Sequence, residues 1–162
     1  MGRAGRDGDR FPIYLGTTEL IRGYTAGSIF NNECAKDSVP SGGYTGCATL
    51  DQLIGSRIAV VNVELRFPLA RNFVLGFLPV GFPPIEGALF YDAGLAWQSG
   101  DTLKLHRPAG ANPAFVRAPL KSYGGSIRAN LLGWVILRFD YTKPVDRPGK
   151  HPYWTVSLGP TF

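Results

Sequence analysis

Polar and apolar positions alternate along this chain in runs typical of β-strands. Residues 153–162 place one set of apolar side chains on a single face: Trp154, Val156, Leu158, Pro160 and Phe162. The positions between them are small and mostly polar, which suits a strand with lipid on one side and water on the other. A strand of a soluble β-sandwich alternates in the same way, so this segment alone leaves both interpretations open.

The same periodicity predicts about six antiparallel strands. They cover residues 11–16, 57–68, 85–97, 123–131, 134–141 and 153–162. A Gly- and Pro-interrupted apolar stretch, 73–84, is interpreted as a turn segment at a membrane boundary. Residues 17–56 form a long loop, and because a structureless loop of that length is abnormal in a compact domain, we expect it to fold back on the chain. The predicted fold class is all-β, an antiparallel transmembrane β-barrel segment.

Charged residues on these strands occupy the less apolar faces. They are Glu64, Arg66, Asp92, Arg128, Arg138 and Asp140. Large aromatic rings lie near strand ends on the apolar faces, at Trp97, Trp134, Tyr141 and Trp154. Amphipathic rings in such positions are typical of a membrane interface, which favours the barrel over the sandwich.

Composition agrees with a β-rich chain that crosses a membrane only with strands. The 162 residues include 21 Gly and 13 Pro, and no apolar run approaches the roughly 18 residues that a transmembrane helix needs. Residues 1–10 are polar and lack the apolar core of a signal peptide, so we interpret them as a leader or a truncated upstream segment. Residues 11–162 would form an incomplete barrel, since about eight strands are the usual minimum for closure.

Several other functional classes are disfavoured. The net charge of +5 is spread along the chain without a basic helix, so nucleic-acid binding is not expected. Cys34 and Cys47 lie in a loop-like segment without nearby histidines, which favours one disulfide over a metal site, two buried thiols being the alternative. His106 and His151 have no adjacent nucleophile, so we expect no enzyme, no metal and no cofactor.

Five motifs, in this order and spacing, resemble one family. They are Arg22-Gly23-Tyr24, the segment VELRFP at 63–68, FYDAGLAW at 90–97, RFDYTKP at 138–144 and the terminal aromatic Phe162. Together they are similar to the carboxy-terminal part of the bacterial surface antigen barrels, the outer-membrane assembly-factor family of BamA and TamA. The resemblance spans nearly the whole chain.

The resemblance implies a loop folded into the barrel lumen. Carried over by position, it implies that Arg22 meets Glu64 and Asp92, with Gly23 allowing close backbone approach and Tyr24 beside them. A guanidinium engages carboxylates bidentately, and such directional contacts offset the entropy of ordering a long loop. The terminal strand would form one side of a weakly sealed seam.

The implied function is insertion or export of proteins at the bacterial outer membrane, by an integral protein. Its expected partners are outer-membrane lipid, upstream barrel strands of a longer parent chain, and client outer-membrane proteins. Two alternatives remain: a barrel that anchors or exports an attached soluble domain, and a soluble β-sandwich binding module. The sandwich predicts that the apolar faces pack together while Glu64, Asp92 and Arg138 meet bulk solvent.

Overall fold

The computed structural model describes residues 12–29, 47–70, 73–74, 81–82, 84–106, 116–131, 134–147 and 150–160. Within these ranges the chain forms one large antiparallel sheet and three two-stranded pairs. The helices are a 3-10 turn, Ala26–Ser28, and α1, Ala48–Gln52. Neither of these two helices is long and apolar enough to cross a membrane.

The large sheet contains five long strands. In chain order they are β3 (Arg57–Ala70), β6 (Ile85–Trp97), β9 (Leu120–Leu131), β10 (Val135–Pro144) and β11 (Tyr153–Pro160). Their order across the sheet is β11-β10-β9-β6-β3, all antiparallel. In the described part of the chain β3 and β11 are the sheet edges, so the sheet is not closed. The predicted fold class, an all-β incomplete barrel, is confirmed.

Of the short pairs, one precedes the first long strand and two lie in connections between long strands. Strand β1 (Ile13–Tyr14) pairs with β2 (Ile54–Gly55), and β4 (Phe73–Val74) pairs with β5 (Gly81–Phe82). Strand β7 (Thr102–Leu103) lies parallel to β8 (Val116–Arg117). The turn predicted at 73–84 therefore contains a short hairpin that continues the β3–β6 ladder.

The prediction of a first barrel strand at 11–16 was wrong for its described residues. Only Ile13–Tyr14 is extended, and its partner is β2 instead of the large sheet. The next residue, Leu15, is fully buried in a cluster beneath the loop and packs where a side chain on Gly94 would otherwise lie. Because burying Leu15 removes apolar surface from water, the segment lies across the sheet and does not extend it.

The two faces of the sheet have inverted polarity relative to a soluble protein: the exposed face is apolar and the covered face is polar. The outward face carries exposed apolar and aromatic side chains: Val61, Val63, Leu65, Phe67, Leu89, Tyr91, Ile127, Phe139, Tyr141, Trp154, Val156 and Leu158. The inward face carries buried polar side chains: Asp92, Ser122, Ser126, Asp140 and Thr142. Val63 is 59% exposed and Trp154 is 62% exposed, whereas Asp92 is 0% exposed. This is the reverse of a sheet whose apolar face packs into a protein core.

The apolar core lies between the inward face and the loop that precedes β3. Its buried members are Leu15, Ile21, Tyr24, Leu53, Ala96 and Leu120. Four of these six residues therefore come from the segments flanking residues 30–46, as expected for a long loop that folds back. The core sits at the end of the sheet where β3 begins and β6 ends, next to the charged residues of the inward face.

Candidate functional site: a loop locked onto the inward face

A turn at residues 17–20 directs Arg22-Gly23-Tyr24, the RGY motif, toward the inward face. The backbone N–H groups of Leu20 and Ile21 donate to the carbonyl of Thr17, at 3.2 and 2.9 Å. Leu15 before the turn and Ile21 after it are both fully buried in the core. Burial of these two residues fixes the chain on either side of the turn. Arg22, next in the chain, therefore lies beside the inward carboxylates of β3 and β6.

Arg22 forms a bidentate ion pair with Asp92 of β6. Its Nε lies 2.7 Å from Oδ2 and its Nη2 lies 2.8 Å from Oδ1. The backbone N–H of Arg22 also donates to Oδ2 at 3.2 Å, and Nδ2 of Asn62 donates to Oδ1 at 2.8 Å. The guanidinium carbon lies 3.5 Å from the centroid of the Phe90 ring. Four donors thus surround a fully buried carboxylate, which is what a desolvated charge requires.

Glu64 of β3 joins the loop to two further arginines of the sheet. Its carboxylate accepts from Arg22 Nη1 at 3.2 Å and from Arg66 Nε at 2.6 Å. Nη2 of Arg128, on β9, lies 2.8 and 2.9 Å from its two oxygens. The three arginines come from the loop, from β3 and from β9, so one carboxylate ties the loop to two strands of the sheet.

Gly23 is required by both its conformation and its surroundings. Its φ is +91°, in the region that favours glycine, and a Cβ there would lie 2.9 Å from Cγ2 of Thr142. Tyr24 is fully buried, and its hydroxyl donates to the carbonyl of Lys121 at 2.8 Å while accepting from the N–H of Asp146 at 3.2 Å. The RGY motif therefore reaches across β3, β6, β9 and β10.

Arg147, which sequence reasoning missed, holds the same loop from the other side. Its Nη1 donates to the carbonyl of Gly23 at 2.7 Å and to Oγ of Ser28 at 2.9 Å, and its Nη2 donates to the carbonyl of Ser28 at 2.6 Å. The side chain is 1% exposed. Because Arg147 follows β10 and meets backbone carbonyls far away in sequence, no local pattern could have indicated it.

Burial and hydrogen bonding set the pKa values of the loop residues. Burial raises the pKa of the Tyr24 hydroxyl far above its usual range. It also raises the pKa of Tyr14, against the opposing charge of Arg147. A hydrogen bond from the Thr18 hydroxyl lowers the pKa of Glu19. Tyr24 is consequently a neutral donor at physiological pH, and Glu19 carries its charge.

A family model of the Omp85 superfamily domain matches residues 8–162. The chain belongs to the Omp85 superfamily. No curated protein and no solved structure gave a match. Members of this superfamily are outer-membrane proteins that insert or translocate other proteins and are not enzymes. An outer-membrane setting accounts for the exposed apolar face of the sheet.

The Omp85 domain has a second charged cluster on its inward face. Nε of Arg138 lies 2.9 Å from Oδ2 of Asp140, and the Ser126 hydroxyl donates to Oδ1 at 2.6 Å. Arg138 stands directly opposite Arg128 in the β9–β10 ladder. Like charges in that position repel, so the neighbouring carboxylates Asp140 and Glu64 offset the repulsion. All four predicted lumen-facing charges, Arg66 included, lie on the inward face.

A further contact, also missed from the sequence, attaches α1 to the chain around β8. Nε of Arg117 lies 2.8 Å from Oδ2 of Asp101, and its Nη1 donates to the carbonyl of Asp51. The Gln52 side chain donates to the carbonyl of Val116 at 2.9 Å and accepts from the N–H of Ala118 at 3.2 Å. The second half of the long loop is therefore fastened to β8, as the first half is to β6 and β3.

The remaining predicted residues of the Omp85 domain lie on the outward face or outside the described ranges. Trp154, Val156 and Leu158 are exposed on the outward face of β11, and the Trp154 ring centroid lies 5.0 Å from that of Tyr141. Phe162 lies outside the described residues. Cys34 does too, so the Cys34–Cys47 disulfide stays a prediction. In the part of the chain that is described, no group of three or more acidic, His or Cys side chains is placed to hold a metal.

Proposed function

We propose that this chain is the carboxy-terminal barrel portion of a bacterial outer-membrane protein assembly or translocation factor. It would be integral to the membrane and would insert or export client proteins. The observation that carries the proposal is the inverted polarity of the large sheet in an Omp85 domain. Its apolar side chains are exposed on one face, while its charged side chains are buried with a loop on the other.

The outward face supports contact with hydrocarbon. The outward positions of the five long strands are apolar or aromatic over most of their length, and in the described residues no second sheet covers them. Exposed apolar side chains of this number are costly in water and favourable in a lipid bilayer. A soluble sandwich would need an apolar partner on that face, so the polarity favours the barrel.

The inward face supports a loop that stays docked inside the lumen. Arg22 pairs with Asp92 and Glu64, and Arg147 binds the carbonyls of Gly23 and Ser28. Contacts on both sides of the RGY motif hold one loop against four strands. We propose that this docking keeps the strands in register near the seam, so that the seam and not the loop opens to a client.

The edge strand β11 supports the proposed seam. In the described residues it pairs only with β10, through eight residues ending at Pro160. Proline has no N–H to donate and glycine has no side chain to pack, so Gly159 and Pro160 weaken any ladder at this end of the strand. A weak edge can release its barrel partner and accept a client strand, which is the step that assembly requires.

Depletion of the polypeptide that carries this sequence, in its source organism, tests the proposal. Quantitative proteomics of purified outer membranes is expected to show a fall in many unrelated barrel proteins, restored by the wild-type gene. Loss of only one surface-exposed soluble domain, with barrel proteins unchanged, would favour the anchor or exporter instead. Unchanged levels of both would reject the proposed function.

A matched pair of variants relates the loop to this activity. Arg22→Ala is expected to restore barrel proteins poorly, because it removes the contacts to Asp92 and Glu64. Arg66→Ala removes an arginine from the same carboxylate, but its side chain is 60% exposed, so it is expected to complement fully. Equal complementation by both variants would mean that the docked loop is not needed for assembly.

A further inference from the structure

Charged residues at outward positions of the described long strands occur only at one end and are all basic. They are Arg57 at the start of β3, Lys121 near the start of β9 and Lys143 near the end of β10. Arg57 stands opposite Trp97, and Lys143 stands opposite Tyr123. This end of the sheet also carries the RGY loop, so the apolar band has a basic and aromatic border on that side.

A groove on the outward face lies at this border. It has a volume of about 380 Å³ and is lined by Tyr123, Gly124, Tyr141, Lys143 and Pro152. Its wall is mostly apolar, and the Trp154 ring, 5.0 Å from that of Tyr141, extends the wall across β11. An acyl chain fits such a wall because both exclude water.

Lys143 supplies the positive charge at the rim of the groove. Its Nζ donates to the carbonyl of Lys150 at 2.8 Å, which positions the ammonium group while using one of its three donors. Among the described residues no acidic side chain forms a salt bridge with Lys143. The remaining donors can therefore serve an anionic oxygen from outside the protein.

We propose that this groove binds a membrane lipid through its anionic phosphate head group. The phosphate would lie on the Lys143 ammonium, with Lys121 and Arg57 extending the positive border, and the acyl chains would follow the apolar face past Tyr141 and Trp154. The inference rests on the proposed membrane-spanning state. It adds a defined lipid site at the loop end of β9, β10 and β11, where a bound lipid would brace the strands next to the seam.

Lipid retention by the full-length protein tests this site. The protein is reconstituted into nanodiscs of phosphatidylcholine mixed with phosphatidylglycerol, and the lipids that stay bound on release are counted by native mass spectrometry. The wild type is expected to retain phosphatidylglycerol preferentially. Lys143→Ala is expected to lower that retention about fivefold, the effect of one basic residue near an anionic membrane surface. Lys143→Arg keeps the charge and is expected to retain the lipid.

Lys104→Ala is the matched control. It removes an exposed lysine near the same end of the molecule but away from the groove, so retention is expected to stay at the wild-type level. The proposal is overturned if Lys143→Ala and Lys104→Ala behave alike, if both lipids are retained equally, or if inorganic phosphate displaces the lipid. Failure of the wild type to enter nanodiscs would instead contradict the membrane-spanning state itself.

Discussion

Replacing Arg22 with alanine is expected to release the folded-in loop from the sheet. The side chain makes two hydrogen bonds, of 2.7 and 2.8 Å, to the fully buried Asp92 and a third, of 3.2 Å, to Glu64. Each hydrogen bond to a charged group contributes about 1.5–3 kcal/mol. In the variant, Asp92 would keep only neutral donors, the Asn62 amide and one backbone N–H.

The expected cost follows from the burial of the pair. Removing one partner of a buried pair costs about 3–5 kcal/mol, and a polar lumen that admits water places this case at the lower end. About 3 kcal/mol corresponds to roughly two orders of magnitude in the ratio of docked to undocked loop. Glu64 loses less than Asp92, because Arg66 and Arg128 remain bound to it.

Hydrogen–deuterium exchange on the purified full-length protein measures this release. Peptides from residues 12–29 are expected to exchange faster in Arg22→Ala by up to that factor, while a peptide from β10 serves as the internal reference. Arg22→Lys, which keeps the charge but loses the planar fork, is expected to fall between the variant and the wild type. In Arg66→Ala, the loop is expected to exchange as in the wild type.

A small effect would refute the reasoning. If residues 12–29 of Arg22→Ala exchanged less than about threefold faster than the wild type, the pair would contribute under about 1 kcal/mol. A double-mutant cycle with Asp92→Ala gives a second check, since contacting residues are expected to couple by about 0.5–3 kcal/mol. Additive effects would show that the two side chains do not act as a pair.

Three further predictions follow from the same geometry. Val63→Arg places a charge on the lipid-facing surface and is expected to lower the free energy of unfolding by about 2–4 kcal/mol. The measurement is the loss of folded, heat-modifiable protein on gels. Thr155→Arg, on the inward face, is expected to fold into the membrane as the wild type does. Gly23→Ala is expected to destabilise the docked loop by about 1–2 kcal/mol for the left-handed conformation, with a further steric cost against Thr142, and so to speed hydrogen exchange of the loop. Gly27→Ala is expected to leave this exchange unchanged, because nothing lies near a Cβ at that position. Equal exchange in the two variants would contradict the prediction. Burial raises the pKa of Tyr24, so its contribution to the stability of the docked loop is complete below pH about 10 and is lost as pH rises through the higher pKa of the folded state. Protection of the loop from hydrogen exchange is therefore expected to fall in alkali, and Tyr24→Phe is expected to make that protection less dependent on pH.

Much of the strand pattern could be predicted because a strand side chain's face depends on local period alone. Strand β6 was predicted with its observed bounds, and β3 begins at the predicted residue. The alternation of Val63, Glu64 and Leu65 is visible without any knowledge of pairing. The prediction for segment 11–16 was wrong because the burial of Leu15 under the loop decides which strand this segment pairs with. That burial cannot be deduced from a local pattern.

Only part of the site could be predicted from the sequence, for the same reason. Arg22, Glu64 and Asp92 were named through a family resemblance, and the structure brings them together at hydrogen-bonding distances. Arg147 could not be named in this way, because it binds the backbone carbonyls of Gly23 and Ser28, and every residue has a carbonyl.

The sequence by itself determined which side chains share a face, since successive residues of a strand point to opposite sides. It did not determine what each face touches, because a sandwich and a barrel use the same alternation. Only the tertiary structure decided this, by leaving Val63 and Trp154 exposed while enclosing Asp92 and Asp140. The physical reason is that burial depends on pairings between segments far apart in the chain, such as Arg22 with Asp92, which a period of two residues cannot encode.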